Sequence, residues 1–301
     1  MLNIKLKKLY QQDNISILYT PFMPCRFSPF AGRAPFVMLN DLDIITIDFP
    51  ADVDTLRVYA IGDVHVGSRE FDEQAIRKKI EIIQNDPAGA AAVCGDLGDF
   101  GLKNSKTNIY QATMTIREQI EYIHDLFLPI VHKISACVPG NHEQRILREA
   151  GTCPLYDLCV RWGIQNVYRE NMAITRYSFG EWQADKPMKF TGVTTHGSSR
   201  TKHKRFIAAF SGVDFFISGH THQSEYAPHS QLVVGDQAKT ARLVPYKELV
   251  VDANLKPGGY GIKKEYEIAP PPELQYIELT GYRDMYTRQR SKVMSYHSVQ
   301  I

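Results

Sequence analysis

Residues 57–67 read RVYAIGDVHVG, an apolar β-type run that closes on a glycine and then on an aspartate and a histidine one residue apart. In extended backbone, residues i and i+2 point the same way, so Asp63 and His65 are expected to share a face as potential metal ligands. One such turn carries little weight. Three more stretches repeat its grammar: AAAVCGDLGD up to Asp99, KISACVPGNHE up to Glu143 and FFISGHTH up to His222. A fifth, MKFTGVTTHG, carries His196. Together they supply Asp63, His65, Asp96, Asn141, His142, His196, His220 and His222. Hard oxygens mixed with imidazoles suit Mn, Fe or Zn better than Ca or Cu.

The segments between these runs alternate in type. FDEQAIRKKIEIIQND places Ile76, Ile80 and Ile83 at helical spacing, with acids early and Asp86-Pro87 as a stop. A polar loop with Lys103, Ser105, Lys106 and Asn108 precedes a long helical pattern, Ile109, Ala112, Ile116, Ile120, Ile123 and Phe127. Short helices follow Glu143 and lie over EQRILREA, over residues from Leu155 and over TKHKRFIAAF. AITRYSF, MKFTGVTT, QLVVGD, ARLVPY, ELVVDANL and LQYIELTG read as strands. Strand, helix, strand, helix, strand predicts right-handed crossovers and a mainly parallel sheet, with ligands gathered beyond the carboxyl ends of its strands. The expected fold is α/β, two sheets in a sandwich flanked by helices.

Composition bounds the function less. The 35 basic and 33 acidic residues create no global field, so attraction to nucleic acid would need a local patch. The five cysteines contain no CxxC pair, which disfavours a cysteine zinc site or a disulfide framework and fits a reducing compartment. The first residues, MLNIKLKKLYQQDN, lack the apolar core of a signal peptide, and no window is apolar enough to span a membrane. A cytoplasmic protein without a membrane partner is expected.

The five clusters, in this order, resemble the calcineurin-like metallophosphoesterase family, whose pattern is DxH, GDxxD, GNH(E/D), a lone histidine and GHxH. The resemblance covers residues 56–223 and implies the same two-sheet fold, with a dinuclear site at the strand ends. It also divides the chain into an N-terminal arm, 1–54, and a metallophosphoesterase domain, 55–301. Residue by residue it implies Asp96 as the bridge between two ions, Asp63, His65 and His222 completing one site, and Asn141, His196 and His220 completing the other. Mn is the first choice, with Fe, Zn and Ni as alternatives. His142, which the resemblance leaves off the metals, would face the leaving-group oxygen as a general acid or stabilise the charge there. Asp99 would orient His142 or a ligand, with capping of the following loop as an equal reading. The chain as a whole resembles uncharacterised phosphoesterases of bacteriophage genomes.

Arg145 and Arg148 follow GNHE, and Arg200, Lys202, Lys204 and Arg205 follow His196; either group could grip a phosphate or track a nucleic-acid backbone, or could simply be a solvated helix face. Tyr276, Tyr282, Tyr286 and Tyr296 could stack bases, though ordinary strand use explains them better. The first functional expectation is a phosphodiesterase or nuclease acting on a nucleotide or nucleic acid, the class in which the paired GHTH form occurs. A phosphomonoesterase or phosphoprotein phosphatase is the alternative. The serine/threonine phosphatase branch continues GDxxD with Arg-Gly to hold the terminal phosphate, and here Phe100-Gly101 stands instead. A non-catalytic scaffold comes third, because such relatives tend to lose the residues kept here.

Overall fold

The computed structural model describes residues 40–103, 105, 112–183, 186–234, 240–258, 271–283 and 290–301. Lys106, Asn108, Ile109, Tyr286, Cys25 and most of the 1–54 arm lie outside the described residues.

Two mixed sheets form the core. In one, β2 (Thr55–Ile61), β3 (Gly89–Val93) and β4 (Ile134–Cys137) run parallel, and β10 (Glu273–Arg283) and β11 (Arg290–Gln300) add antiparallel beside β2, giving the order β11-β10-β2-β3-β4. The other has the order β1-β5-β6-β7-β9-β8, from β1 (Ile45–Asp48), β5 (Met172–Gln183), β6 (Lys186–Thr195), β7 (Phe215–Ser218), β8 (Glu225–Val233) and β9 (Arg242–Val250). Strands β2 to β4 are near-continuous apolar runs because both of their faces are covered. The expected α/β sandwich is what the chain forms.

Helix α1 (Glu73–Asn85) crosses from β2 to β3, capped by the Asp72 carboxylate, with Ile76, Ile80 and Ile83 buried as their spacing predicts. The second crossover differs from expectation. Helix α2 (Ile116–Phe127) starts at Ile116, well after Ala112, because Thr115 and Glu118 close a reciprocal capping box there. Helices α3 (Asn141–Ala150) and α4 (Pro154–Trp162) follow β4, and α5 (Arg200–Ile207) links β6 to β7. Residues 45–48, read as part of the N-terminal arm, pair as β1 with β5 and so add to a sheet edge. Tyr276 packs between Tyr59 and His297, and Tyr296 stacks on Tyr226 at 4.5 Å. Both tyrosines are thus spent on strand packing.

The parallel registers pair Ile61 with Val93, Val93 with Cys137, and Thr194 with Ile217. The carboxyl ends of β2, β3 and β4 therefore finish along one edge of their sheet, as those of β6 and β7 do along theirs. His196 Nδ1 donates to the Cys94 carbonyl at 2.7 Å, and the His220 N–H donates to Asp63 Oδ2 at 2.8 Å, so the two edges meet.

Candidate metal centre

Every motif lies just past a strand: Asp63 and His65 beyond β2, Asp96 beyond β3, Asn141 beyond β4, His196 beyond β6, His220 and His222 beyond β7. The turns are not the extended chain that a shared i, i+2 face requires. Asp63, His65, Asp96, Phe100, His220 and His222 all have φ between 41° and 75°, and among the described residues no other non-glycine does. Left-handed backbone costs an L-residue roughly 1–2 kcal/mol, and such outliers persist where surrounding contacts over-determine them. Two glycines permit the approach. A Cβ at Gly140 would stand 2.1 Å from Asp96 Oδ1, and one at Gly219 2.4 Å from Asp63 Oδ2.

The turns bring seven donors into two neighbouring groups. In the first, His65 Nε2 and His222 Nε2 are 3.0 Å apart, and Asp63 Oδ1 is 3.8 Å from the one and 3.4 Å from the other. In the second, Asn141 Oδ1 is 3.0 Å from His196 Nε2 and 2.8 Å from His220 Nδ1. Asp96 lies beside the second group with Oδ2 3.3 Å from His196 Nε2, and its donor atoms cluster with those of both Asp63 and His196. The two histidines of GHTH thus part company: His222 joins His65, and His220 joins His196.

His142 stands beside these groups. Its Nδ1 meets the main-chain carbonyl of Asp99, which can only accept, so Nδ1 carries a proton and Nε2 is the atom left to take or give one. That Nε2 lies 3.8 Å from Asp96 Oδ2, and the ring meets His65 edge-on at 4.7 Å. Asp99 orients His142 chiefly through its backbone, its carboxylate being 3.6 Å from Nδ1. Burial raises the pKa of that carboxyl, against the lowering effect of His142 and Arg145.

Glu143 closes the GNHE motif, and the sequence reading gives it no role. Its buried carboxylate accepts the N–H groups of Asp96, Leu97 and Gly140 at 2.8–2.9 Å, locking the GD turn to the GN turn. The signal was present, since an acid three residues into a helix commonly reaches back to the cap. Gln119, inside α2, accepts the Phe100 N–H at 2.9 Å; no pattern marks it.

The cationic residues separate. Arg145, half-buried, lies near enough for its charge to act on Asp99 and Asp96, although burial is what chiefly lowers its pKa. Arg148 is exposed on α3 and Arg200 is tied to Glu225 at 3.0 Å. Lys202, Lys204 and Arg205 are exposed on α5.

The calcineurin-like phosphoesterase family model matches residues 56–224, more than half of the chain. The chain belongs to this family. As a calcineurin-like phosphoesterase it is a hydrolase of phosphoric esters, in a family that works with divalent metal ions. No match is found among curated proteins. Solved structures similar to this phosphoesterase include GAP50, the anchor in the inner membrane complex of Plasmodium, at 10% identity and TM-score 0.43, with 82% of this chain and 88% of that one covered. A hypothetical protein from Thermus thermophilus is similar at 9% identity and TM-score 0.29, covering 81% and 99%. No helix among the described residues is long and apolar enough to cross a membrane.

The donors fit divalent ions. Asp63 Oδ1 is buried, has no hydrogen-bond partner and faces two imidazole nitrogens, a condition a cation would relieve. At His196, Nδ1–H is committed to Cys94, which leaves Nε2 facing the oxygens of Asn141 and Asp96. Burial opposes charge on that ring, but Asp96 outweighs it and raises the pKa to about 10, so a positive charge belongs at Nε2. His65 is the reverse: burial, then the charges of His142 and His222, depress it to about 3 and keep its ring neutral, as a ligand must be.

Proposed function

We propose that this phosphoesterase is a dinuclear metal-dependent phosphodiesterase acting on a nucleotide or nucleic acid, with Mn as its preferred ion. Asp63, His65 and His222 would hold one ion and Asn141, His196 and His220 the other, with Asp96 shared between the two groups. Bound there, a pair of divalent ions supplies activation of water and neutralisation of charge on the phosphoryl oxygens. His142 Nε2 delivers a proton to the departing oxygen.

The observation that carries the diester reading is Phe100. Its side chain is buried against Gly98, and its N–H is held by Gln119. A monoester brings an extra negative charge, which a guanidinium on the terminal oxygens commonly offsets. At position 100 no cation is available, and a second ester arm is better tolerated. With Mn present, kcat/KM for bis(4-nitrophenyl) phosphate should exceed that for 4-nitrophenyl phosphate. Clear preference for the monoester, or phosphate release from phosphoserine peptides without diester activity, would promote a phosphomonoesterase. Arg145 is the observation that favours this second reading, because its charge already acts on Asp99 and Asp96.

The exposed run on α5 supports a polymeric substrate. If Lys202 and Arg205 grip phosphates, replacing both by Gln should raise KM for DNA or RNA and lower the salt slope of log K by about 0.7–0.9 for each phosphate no longer held. The small aryl diester should be hydrolysed as before. Equal effects on both substrates, or none on either, would take α5 out of substrate binding.

A further inference from the structure

Asp63 has to be held in a left-handed conformation, φ 48°, with one carboxylate oxygen buried and unpartnered. Within the family match the Asp63 N–H donates to the Gly95 carbonyl at 3.0 Å and the Val64 and His65 N–H groups donate to the Asp96 carbonyl at 2.9 and 3.0 Å; a further restraint lies outside that match, which ends at residue 224. Beyond β9 the chain forms a strap over residues 251–256. Its Val251 N–H donates to the Ser218 carbonyl at 2.8 Å, at the root of the GHTH turn, and its Lys256 N–H donates to the Glu70 carbonyl at 2.7 Å. Asp252 is anchored on both sides, by Lys79 of α1 at 3.0 Å and by the Glu273 N–H of β10 at 2.7 Å. Leu255 bridges to Phe71.

At the centre of the strap is Asn254, 1% exposed. Its N–H donates to the Asp63 carbonyl at 2.9 Å, its side-chain Nδ2 donates to the Gly62 carbonyl at 3.2 Å, and its own carbonyl accepts the Asp72 N–H at 2.9 Å. One residue therefore engages both carbonyls that flank the bend at Asp63 and the cap of the helix that follows. Its amide oxygen is buried without a partner. A polar side chain kept there at that cost has its use in the other half of the amide, the N–H pair directed at Gly62.

We propose that Asn254 is a positioning residue for the Asp63 metal site, a clip that fixes the DVH turn so that Asp63 and His65 face His222. This rests on the reading that these three side chains hold one of two ions. The second group, Asn141, His196 and His220, follows β4, β6 and β7, and among the described residues its three side chains take no hydrogen bond from the strap. Asn254 therefore acts directly on the first group and reaches the second only through the His220 N–H on Asp63 Oδ2.

The test is equilibrium dialysis of Asn254→Ala against Mn alone, with bound metal measured directly. The wild type should hold two ions. The variant should keep one unchanged and bind the other about 10–100-fold more weakly, the range typical for loss of a group that orients a ligand. Adding Asn254→Ala to His222→Ala should then cost nothing further, whereas adding it to His196→Ala should weaken the ion that remains. Lys79→Met, which releases the far end of the strap at Asp252, serves as the comparison for general loosening. Should Asn254→Ala fail to fold, Asn254→Ser, too short to reach Gly62, is measured in the same way. Two wild-type ions that are both unaffected, or weakened equally, in the variant overturn the clip alone. Fewer than two ions in the wild type overturns the site reading and the clip with it.

Discussion

Asp96→Asn is expected to leave the protein with less than one bound Mn and to lower kcat/KM by at least about 1,000-fold, beyond the roughly 10–100-fold that loss of an orienting group produces. The reason is position. Asp96 is buried, its Oδ2 faces His196 Nε2 at 3.3 Å, and its donor atoms cluster with those of Asp63, so one carboxylate lies against a member of each donor group. Asparagine fills the same space without the charge. The neighbouring histidine shows what that charge does: burial alone would lower the His196 pKa, and Asp96 raises it to about 10. An ion entering the wild-type site therefore displaces a proton from His196. Between about pH 6.5, the ordinary histidine value, and about 10, wild-type Mn affinity should rise by up to about tenfold per pH unit for that proton. The dependence should flatten in Asp96→Asn, where the pKa is no longer held up. Metal analysis across that pH range reads both effects, and a variant with two tight ions would remove Asp96 from the bridge.

The metal loops were legible because their chemistry needs particular side chains at strand ends, and strand ends are easy to find when parallel strands are continuous apolar runs. Backbone conformation was less so. The expectation that Asp63 and His65 share a face assumed extended chain, and the left-handed turn found there leaves no periodicity to read. Elsewhere, proline misled. Pro228 hid the first half of β8, which tolerates it as a sheet edge, and Pro245 split β9 into two apparent strands. The register of β9 with β7 covers only residues 247–250, so Pro245 falls where that side of the strand is unpaired. Strand β11 went unread because it is exposed along most of its length and carries few apolar side chains. Helix α2 was extended too far towards its N-terminus because apolar spacing was followed past Thr115, although Thr115-x-x-Glu118 states where the helix begins. Glu143 and Asn254 act through backbone groups, and such roles depend on which loops meet in space.

His142→Gln should lower kcat by about 100-fold or more, the scale of general acid help, while metal content stays at two ions. Both halves of this expectation follow from the ring's contacts. Nδ1–H is spent on the Asp99 carbonyl, so glutamine loses the one titratable atom directed into the site, and Nε2, 3.8 Å from Asp96, is not among the seven donors of the two groups. The leaving group decides how large the loss is. A 4-nitrophenolate departs readily without a proton, whereas an alkoxide such as a nucleoside hydroxyl does not, so the penalty should be greatest on a dinucleotide and smallest on bis(4-nitrophenyl) phosphate. Asp99→Asn keeps the carbonyl that holds Nδ1 and should cost no more than about tenfold, less than the general acid itself. If His142→Gln instead arrives with an ion missing, the ring is a ligand, and the proton for the leaving oxygen has to come from elsewhere. A loss that is uniform across leaving groups, with both ions in place, would point to substrate positioning in place of proton transfer.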